Sequence, residues 1–196
     1  MNYDKGYKLP LEYTNFLDNC FYGMASNLDD TFVKLNMTPN KLTTISFLLG
    51  ILSVYFSCGS RFALSGVFYV LSYMFDCFDG YFARKHDMIT VFGDWYDHIT
   101  DWLVVLLLCY VIYKNKNING KSKMYAFSGL ILMFAFSAIF VGCEQKFNNN
   151  PNPSLKIFES ACKDDIDYNL ATFKDVSMGT LTIYIFLVLI VFQYSK

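Results

Sequence analysis

Asp76-Cys77-Phe78-Asp79-Gly80-Tyr81-Phe82-Ala83-Arg84, followed after eight residues by Gly93-Asp94-Trp95-Tyr96-Asp97-His98-Ile99-Thr100-Asp101, sets carboxylates inside two apolar runs. Asp76 and Asp79 are three positions apart and Asp97 and Asp101 four, and both spacings return to one face of a helix. Gly80 and Ala83 continue the first stripe and leave a gap through which a ligand or a facing helix can approach. Gly93, Asp97 and Asp101 descend a second stripe in steps of four. The expectation is a pair of adjacent helices with their acidic stripes turned toward each other.

Around that pair the chain is apolar enough to face lipid. Of its 196 residues, 54% are hydrophobic and 19% aromatic, with a net charge of -1. No basic stripe of the kind that neutralises a phosphate backbone is present, so a nucleic-acid partner is excluded. Apolar runs near the length a bilayer requires cover about 42–58, 62–83, 91–113, 124–142 and 179–194. The expected fold class is all-α, a multi-pass transmembrane helical bundle of about 5–6 spans.

Residues 1–36 mix Leu11, Phe16, Phe21, Tyr22, Met24, Phe32 and Leu35 with charges. They read as an N-terminal interfacial amphipathic helix ahead of one membrane domain over 37–196. The polar stretch from Cys143 to Met178 contains a break at Asn148–Pro153 and the acids Glu159, Asp164, Asp165 and Asp167. It reads as a loop with a short helix near 154–163. The six cysteines show neither zinc nor redox-pair spacing. Only Cys143 and Cys162 share a loop, and a disulfide there would need an oxidising compartment.

Four or five carboxylates at a membrane boundary repel one another and cost several kcal/mol each to desolvate when left bare. Arg84 and Lys85 are too few to neutralise them. All-oxygen ligation without His or Cys suits Mg²⁺ or Mn²⁺, and aspartates shared by two ions are what phosphoryl-type displacements use. Asp76, Asp79, Asp97 and Asp101 are therefore the expected metal ligands.

The run Asp76-x2-Asp79-Gly80-x2-Ala83-Arg84-x8-Gly93-x3-Asp97-x3-Asp101 resembles, at each of its fixed positions, the signature of the CDP-alcohol phosphotransferases, membrane enzymes of phospholipid synthesis. Upstream, Thr38-Pro39-Asn40-Lys41-Leu42-Thr43 is similar to the family's Pro-Asn-x-x-Thr start of the first span. The resemblance covers about 40–113. It implies transfer of a phospho-alcohol group from a CDP-alcohol to an acceptor hydroxyl with release of CMP, assisted by two divalent ions. It also implies that Asp101 doubles as ligand and base. Asn40, Thr43, Gly80, Arg84 and Thr90 match positions that approach the CDP moiety, and a guanidinium at the membrane edge suits a phosphate. A homodimer and a cytosolic catalytic face follow from the resemblance alone.

Gly93-Asp94-Trp95-Tyr96-Asp97-His98-Ile99-Thr100-Asp101 is similar to the Gly-Glu-x-x-Asp-His-x-x-Asp of the choline and ethanolamine branch. There the acid and the His are proposed to activate the acceptor hydroxyl. Asp94 and His98 are four apart, so the carboxylate could orient the imidazole as base. Trp95, Tyr96 and Trp102 suit interfacial anchors. The loop of Lys114, Lys116, Lys121 and Lys123 falls on the far side from a cytosolic site, against the positive-inside tendency.

The acceptor is a lipid such as diacylglycerol or a small polar alcohol. The absence of any arginine after Arg84 favours an uncharged or zwitterionic one. Two rivals share the acids: an intramembrane prenyltransferase, which would need acidic motifs on well-separated helices, and a divalent-cation transporter, which has no need of Gly80-x2-Ala83-Arg84.

Overall fold

A computed structural model describes residues 5–148, 152–163 and 165–194. Residues 1–4 of the N-terminal segment, Asn149, Asn150 and Pro151 of the expected break, and the acid Asp164 lie outside them. The elements are α1 (Phe16–Lys34), α2 (Pro39–Cys58), α3 (Phe62–Lys85), α4 (Val91–Lys114), α5 (Gly120–Phe147), α6 (Ile166–Phe173) and α7 (Met178–Tyr194). Short 3-10 turns occupy Leu11–Tyr13, Lys156–Ala161 and Lys174–Val176, and no strand occurs among the described residues.

Five stretches are long and apolar enough to cross a bilayer: α2, α3, α4, α5 and Ile166–Tyr194, whose apolar part is α7. The protein is an integral membrane helical bundle. Side chains such as Leu106, Ile131, Leu187 and Val191 are exposed, as a surface facing acyl chains requires. Short turns make α2 to α5 antiparallel neighbours in sequence. One end of the bundle therefore gathers α1, the start of α2, the end of α3, the start of α4, the end of α5 and the start of α7.

Local chemistry sets the boundaries. Thr38 caps α2 by accepting from the Lys41 N–H at 3.4 Å, and Pro39 fills the first helical position, so the helix opens three residues before the expected run. Asn36, Ser60 and Asp87, at the ends of α1, α2 and α3, take positive φ values of 50°, 54° and 56° and reverse the chain. The short helix expected near 154–163 is the 3-10 turn Lys156–Ala161. The eight-residue α6, capped by Asp165, was not anticipated.

The first transmembrane hairpin is held by small residues. Ser46, Gly50, Ser53 and Ser57 line one stripe of α2, all buried, and let the helices approach closely. The Ser46 hydroxyl donates to the Ser72 carbonyl at 2.8 Å and Ser72 returns the bond at 2.8 Å. The Ser53 hydroxyl donates to the Ser65 carbonyl, also at 2.8 Å. Gly50 admits Val104 of α4, since a Cβ there would lie 2.6 Å from the valine Cγ2. Both α3 and α4 lean on α2 and make few direct backbone approaches to each other.

The amphipathic helix at the N-terminus is α1, and its buried face packs on protein. Phe21, Tyr22, Ala25 and Phe32 form one cluster with Phe78, Tyr81 and Phe82 of α3. Asp29 of α1 accepts from Lys85 Nζ at 3.0 Å and pairs with His86 Nε2 at 2.8 Å, which ties α1 to the end of α3. The opposite face of α1, including Phe16 and Met24, is exposed and remains suited to a membrane interface.

Candidate active site

The end of α3 and the start of α4 bring three acids to one point. One carboxylate oxygen from each of Asp76, Asp97 and Asp101 lies within 4.8 Å of the others. Because α3 and α4 are spaced by α2, the carboxylates meet across a gap rather than across a tight helix contact. The acidic stripes do face each other, as their spacing predicts. Asp97 Oδ1 is buried without a hydrogen-bond partner, an arrangement expected of an atom whose natural partner is a cation. A set of hard, oxygen-only donors fits a divalent ion of the Mg²⁺ or Mn²⁺ kind.

Asp79 is placed differently. Its Oδ2 accepts the Thr43 hydroxyl at 2.6 Å, and the side chain is buried outside the three-acid group. Thr43 comes from the second turn of α2, and its hydroxyl fixes a carboxylate next to the cluster. Asn40, one turn earlier, lies beside the start of α4: a Cβ on Gly93 would be 3.1 Å from Asn40 Oδ1 and 3.0 Å from Thr90 Oγ1. Thr90 itself caps α4, its hydroxyl oxygen accepting from the Gly93 N–H at 3.0 Å. Thr43 therefore borders the acids, while Asn40 and Thr90 meet at Gly93, one turn before Asp97.

Arg84 and Gly80 revise the expectation for the gap on α3. The space beside Gly80 is filled by the Arg84 guanidinium, whose Nη1 lies 3.0 Å from where a Cβ would stand. Arg84 Nε donates to the Gly6 carbonyl at 2.8 Å and the guanidinium sits 5.4 Å from the Tyr22 ring centre. Gly80 is thus a seat for the arginine rather than an opening for the facing helix. Arg84 Nη2 is buried and without a hydrogen-bond partner, so one arm of the fork retains a free donor.

The expected Asp94 and His98 partnership is also rearranged. His98 Nδ1 lies 2.7 Å from the Asp94 backbone carbonyl, whereas the Asp94 carboxylate is 3.5 Å away. A carbonyl only accepts, so Nδ1 carries a proton, and the lone pair of the neutral ring is then on Nε2. The Asp94 carboxylate is engaged elsewhere, accepting the Ser154 N–H at 2.9 Å, and the Ser154 hydroxyl reaches His98 Nδ1 at 3.2 Å. Sequence reasoning missed Ser154. It lies in a polar loop without periodicity, and only the return of that loop to α4 reveals it.

A second group missed from sequence flanks the acids. A small recess, open to solvent, is lined by Lys8, Thr14, Asp18, Tyr22, Phe140 and Glu144 among others, and Lys8 pairs with Glu144. Tyr73, one turn before Asp76 on α3, donates its hydroxyl to Asp18 Oδ1 at 2.6 Å. Burial pushes the Asp18 carboxyl up to about 6, against the Tyr73 hydrogen bond that favours its charged form; Glu144 and Asp76 add to the rise. A carboxyl raised above its unfolded value of 3.8 stabilises the fold below about pH 4, and that contribution is lost as pH rises through about 6. The thermal midpoint in detergent is expected to fall over that window in the native protein. Asp18→Asn should flatten this part of the profile, and an unchanged slope would contradict the assignment.

The Cys143 and Cys162 side chains form a disulfide, at the same end of the bundle as the acids. Cys20 and Cys58 are free and exposed, Cys77 is free and buried, and Cys109 is free and partly buried.

Residues 36–152 match the sequence profile of the CDP-alcohol phosphatidyltransferases. A relative described as CDP-diacylglycerol--glycerol-3-phosphate 3-phosphatidyltransferase of Rickettsia felis is 32% identical over 84 residues, 41% of this chain and 46% of the relative. Its counterpart from Rickettsia typhi is 33% identical over 84 residues, 41% and 47% of the two chains. A bifunctional IPC transferase and DIPP synthase of Aquifex aeolicus is 42% identical over 64 residues, 33% of this chain and 15% of the relative. The chain spans about half the length of the Rickettsia relatives it matches. No solved structure matches it. The profile covers more than half of the chain, including every acid of the cluster, and on that ground this protein belongs to the CDP-alcohol phosphatidyltransferase family.

Proposed function

We propose that the protein transfers a phosphatidyl group from a CDP-alcohol to the hydroxyl of a small polar acceptor, with release of CMP. The meeting of Asp76, Asp97 and Asp101 within 4.8 Å between two transmembrane helices carries this reading. The family is divalent-metal dependent. Asp76, Asp97 and Asp101, with Asp79 held beside them, would hold two ions, Mg²⁺ or Mn²⁺. When bound, such ions supply charge neutralisation for a diphosphate and its leaving group.

The remaining work falls to side chains of this chain. Asn40, Thr43 and Thr90 would border the cytidine end of the donor, and Arg84 would give the free arm of its fork to a phosphate oxygen. His98, with a proton held on Nδ1, would use Nε2 to take the proton of the acceptor hydroxyl. The acceptor oxygen then attacks the phosphorus that carries the lipid, and the bond to the CMP oxygen breaks with its electron pair leaving on CMP. Asp101 is the alternative base that the resemblance implies.

The recess lined by Lys8, Asp18 and Glu144 favours a small water-soluble acceptor over diacylglycerol, because charged walls are a poor seat for acyl chains. With Lys8 on its wall paired to Glu144, the recess suits a neutral or zwitterionic alcohol. The Rickettsia relatives are named for glycerol 3-phosphate. Competition among unlabelled alcohols against a labelled one in liposomes ranks these acceptors directly.

Release of labelled CMP from a CDP-alcohol in proteoliposomes tests the transfer itself. Metal flux without CMP would establish a transporter instead. A His98→Ala variant with full turnover would remove the imidazole from the role of base and leave it to Asp101. A homodimer, implied by the family resemblance, is part of the proposal and is checked by crosslinking in the membrane.

The site is proposed to face the cytosol. Lys5, Lys8, Lys34, Lys41, Arg84, Lys85, Lys146, Lys156, Lys163 and Lys174 gather at the site end, against Arg61, Lys114, Lys116, Lys121 and Lys123 at the other. Counted over both ends, the basic residues support that orientation, although the single Lys114–Lys123 loop taken alone opposes it. In sealed vesicles with the cytosolic face outward, a membrane-impermeant maleimide is expected to label Cys20 on α1 and to spare Cys58 at the opposite end. The reverse pattern would place the site on the far side of the membrane.

A further inference from the structure

The segment 152–163 runs as a strap from the end of α5 to the start of α4. At one end the Asn152 N–H donates to Gln145 Oε1 at 2.7 Å. In the middle it lies against the α5 backbone, since a Cβ on Gly142 would stand 2.1 Å from the Phe158 carbonyl oxygen. Its far end is fixed covalently by the Cys143–Cys162 disulfide, with Lys146 Nζ donating to the Cys162 carbonyl. Between these anchors Ser154 makes the strap's two contacts with the site. Its N–H holds the Asp94 carboxylate at 2.9 Å, and its hydroxyl meets His98 Nδ1 at 3.2 Å.

Both contacts converge on one imidazole. The Asp94 carbonyl receives the His98 Nδ1 proton, and Ser154 restrains Asp94 through its carboxylate and the ring through its hydroxyl. A disulfide facing the cytosol is also unusual, because thiols there are kept reduced and the disulfides that form are usually transient. We propose that Ser154 is a positioning residue for His98 and that the Cys143–Cys162 disulfide holds it in place, so that turnover depends on the redox state of this pair.

The switch is a balanced exchange. A dithiol reductant supplies two electrons and two protons, the Cys143–Cys162 bond opens to two thiols, and the reductant closes to its own disulfide. The strap then loses its covalent anchor, and Ser154 no longer fixes the ring. The inference rests on His98 being the base of the transfer proposed above.

The test uses the full chain in proteoliposomes, assayed for CMP release before and after dithiothreitol, with maleimide labelling to confirm that both thiols are free. Reduction is expected to lower kcat on the order of 10-fold with KM for the CDP-alcohol unchanged, and reoxidation to restore it. The paired Cys143→Ser and Cys162→Ser variant should be slow and indifferent to reductant. Ser154→Gly should lower kcat with KM for the CDP-alcohol unchanged, while Ser154→Thr, which keeps the hydroxyl, recovers most of the loss. In a His98→Ala background neither Ser154→Gly nor reduction should change the residual rate. Equal rates in the oxidised and fully reduced protein would overturn the redox coupling alone. An additive loss in the His98→Ala background would show that the strap acts by some route other than the ring, and would overturn the positioning role of Ser154. An oxidised protein that releases no CMP at all would bring down the transfer reading and this inference with it.

Discussion

Asp97→Ala is expected to lower CMP release by roughly 10³-fold or more, with the protein still folded and extractable. Asp97 faces Asp76 across the gap and has Asp101 one turn further along its own helix, all within 4.8 Å, and its Oδ1 has no hydrogen bond to lose. Its removal takes away a ligand atom but also relieves repulsion among like charges, so the cost to the fold is small. Asp76→Ala should behave the same way from the α3 side.

Two measurements separate this from simple damage. The thermal midpoint of the native protein should rise with added Mg²⁺ or Mn²⁺, because a ligand bound only by the folded state stabilises it. That rise should shrink or vanish in Asp97→Ala, while the midpoint without metal stays level or increases. Near-native turnover in either variant would remove the acids from the metal site. A metal-dependent rise retained in full by both variants would do the same.

Ser53→Leu is expected to be the most damaging single change to the fold. Ser53 is fully buried on α2, with its hydroxyl on the Ser65 carbonyl of α3 at 2.8 Å. A leucine adds bulk where two backbones already meet, and overpacking of this kind costs about 1–3 kcal/mol, with more where helices cannot separate. The lost hydrogen bond adds about 0.6 kcal/mol, a typical value within a membrane. Together these should lower the thermal midpoint strongly and reduce the yield of monodisperse protein in detergent.

Ser53→Ala is the matched control. It removes the hydroxyl without adding volume, and should cost less than about 1 kcal/mol. Should alanine prove as harmful as leucine, the hydrogen bond rather than the close approach would be holding the hairpin. If leucine is tolerated, the helices are not packed through this stripe at all.

The membrane bundle and the acidic pair of stripes were legible because both depend on short-range periodicity. A run of apolar residues states its solvent directly. Carboxylates three and four positions apart state their common face. The pairing of Cys143 with Cys162 was foreshadowed only by their sharing one loop. The disulfide and the acids lie at one end of the bundle.

Other features required knowing which distant segment arrives beside each residue. The expectation for Gly80 was an open gap, but Arg84 reaches back to fill it because Gly6, far away in sequence, offers a carbonyl on the same side. Asp94 was expected to orient His98 through its carboxylate. The strap takes that carboxylate through Ser154, and the backbone carbonyl performs the orientation instead.

From sequence alone came the lipid-embedded helices, the face on which each acid sits and the family those acids announce. All of these follow from the rise and turn of a single helix. Tertiary structure alone decided that Asp79 turns to Thr43, that α1 covers the end of α3, and that a loop from beyond α5 returns to touch His98. Those contacts join residues that no helical period relates, and they form only when separate elements bury their surfaces against one another.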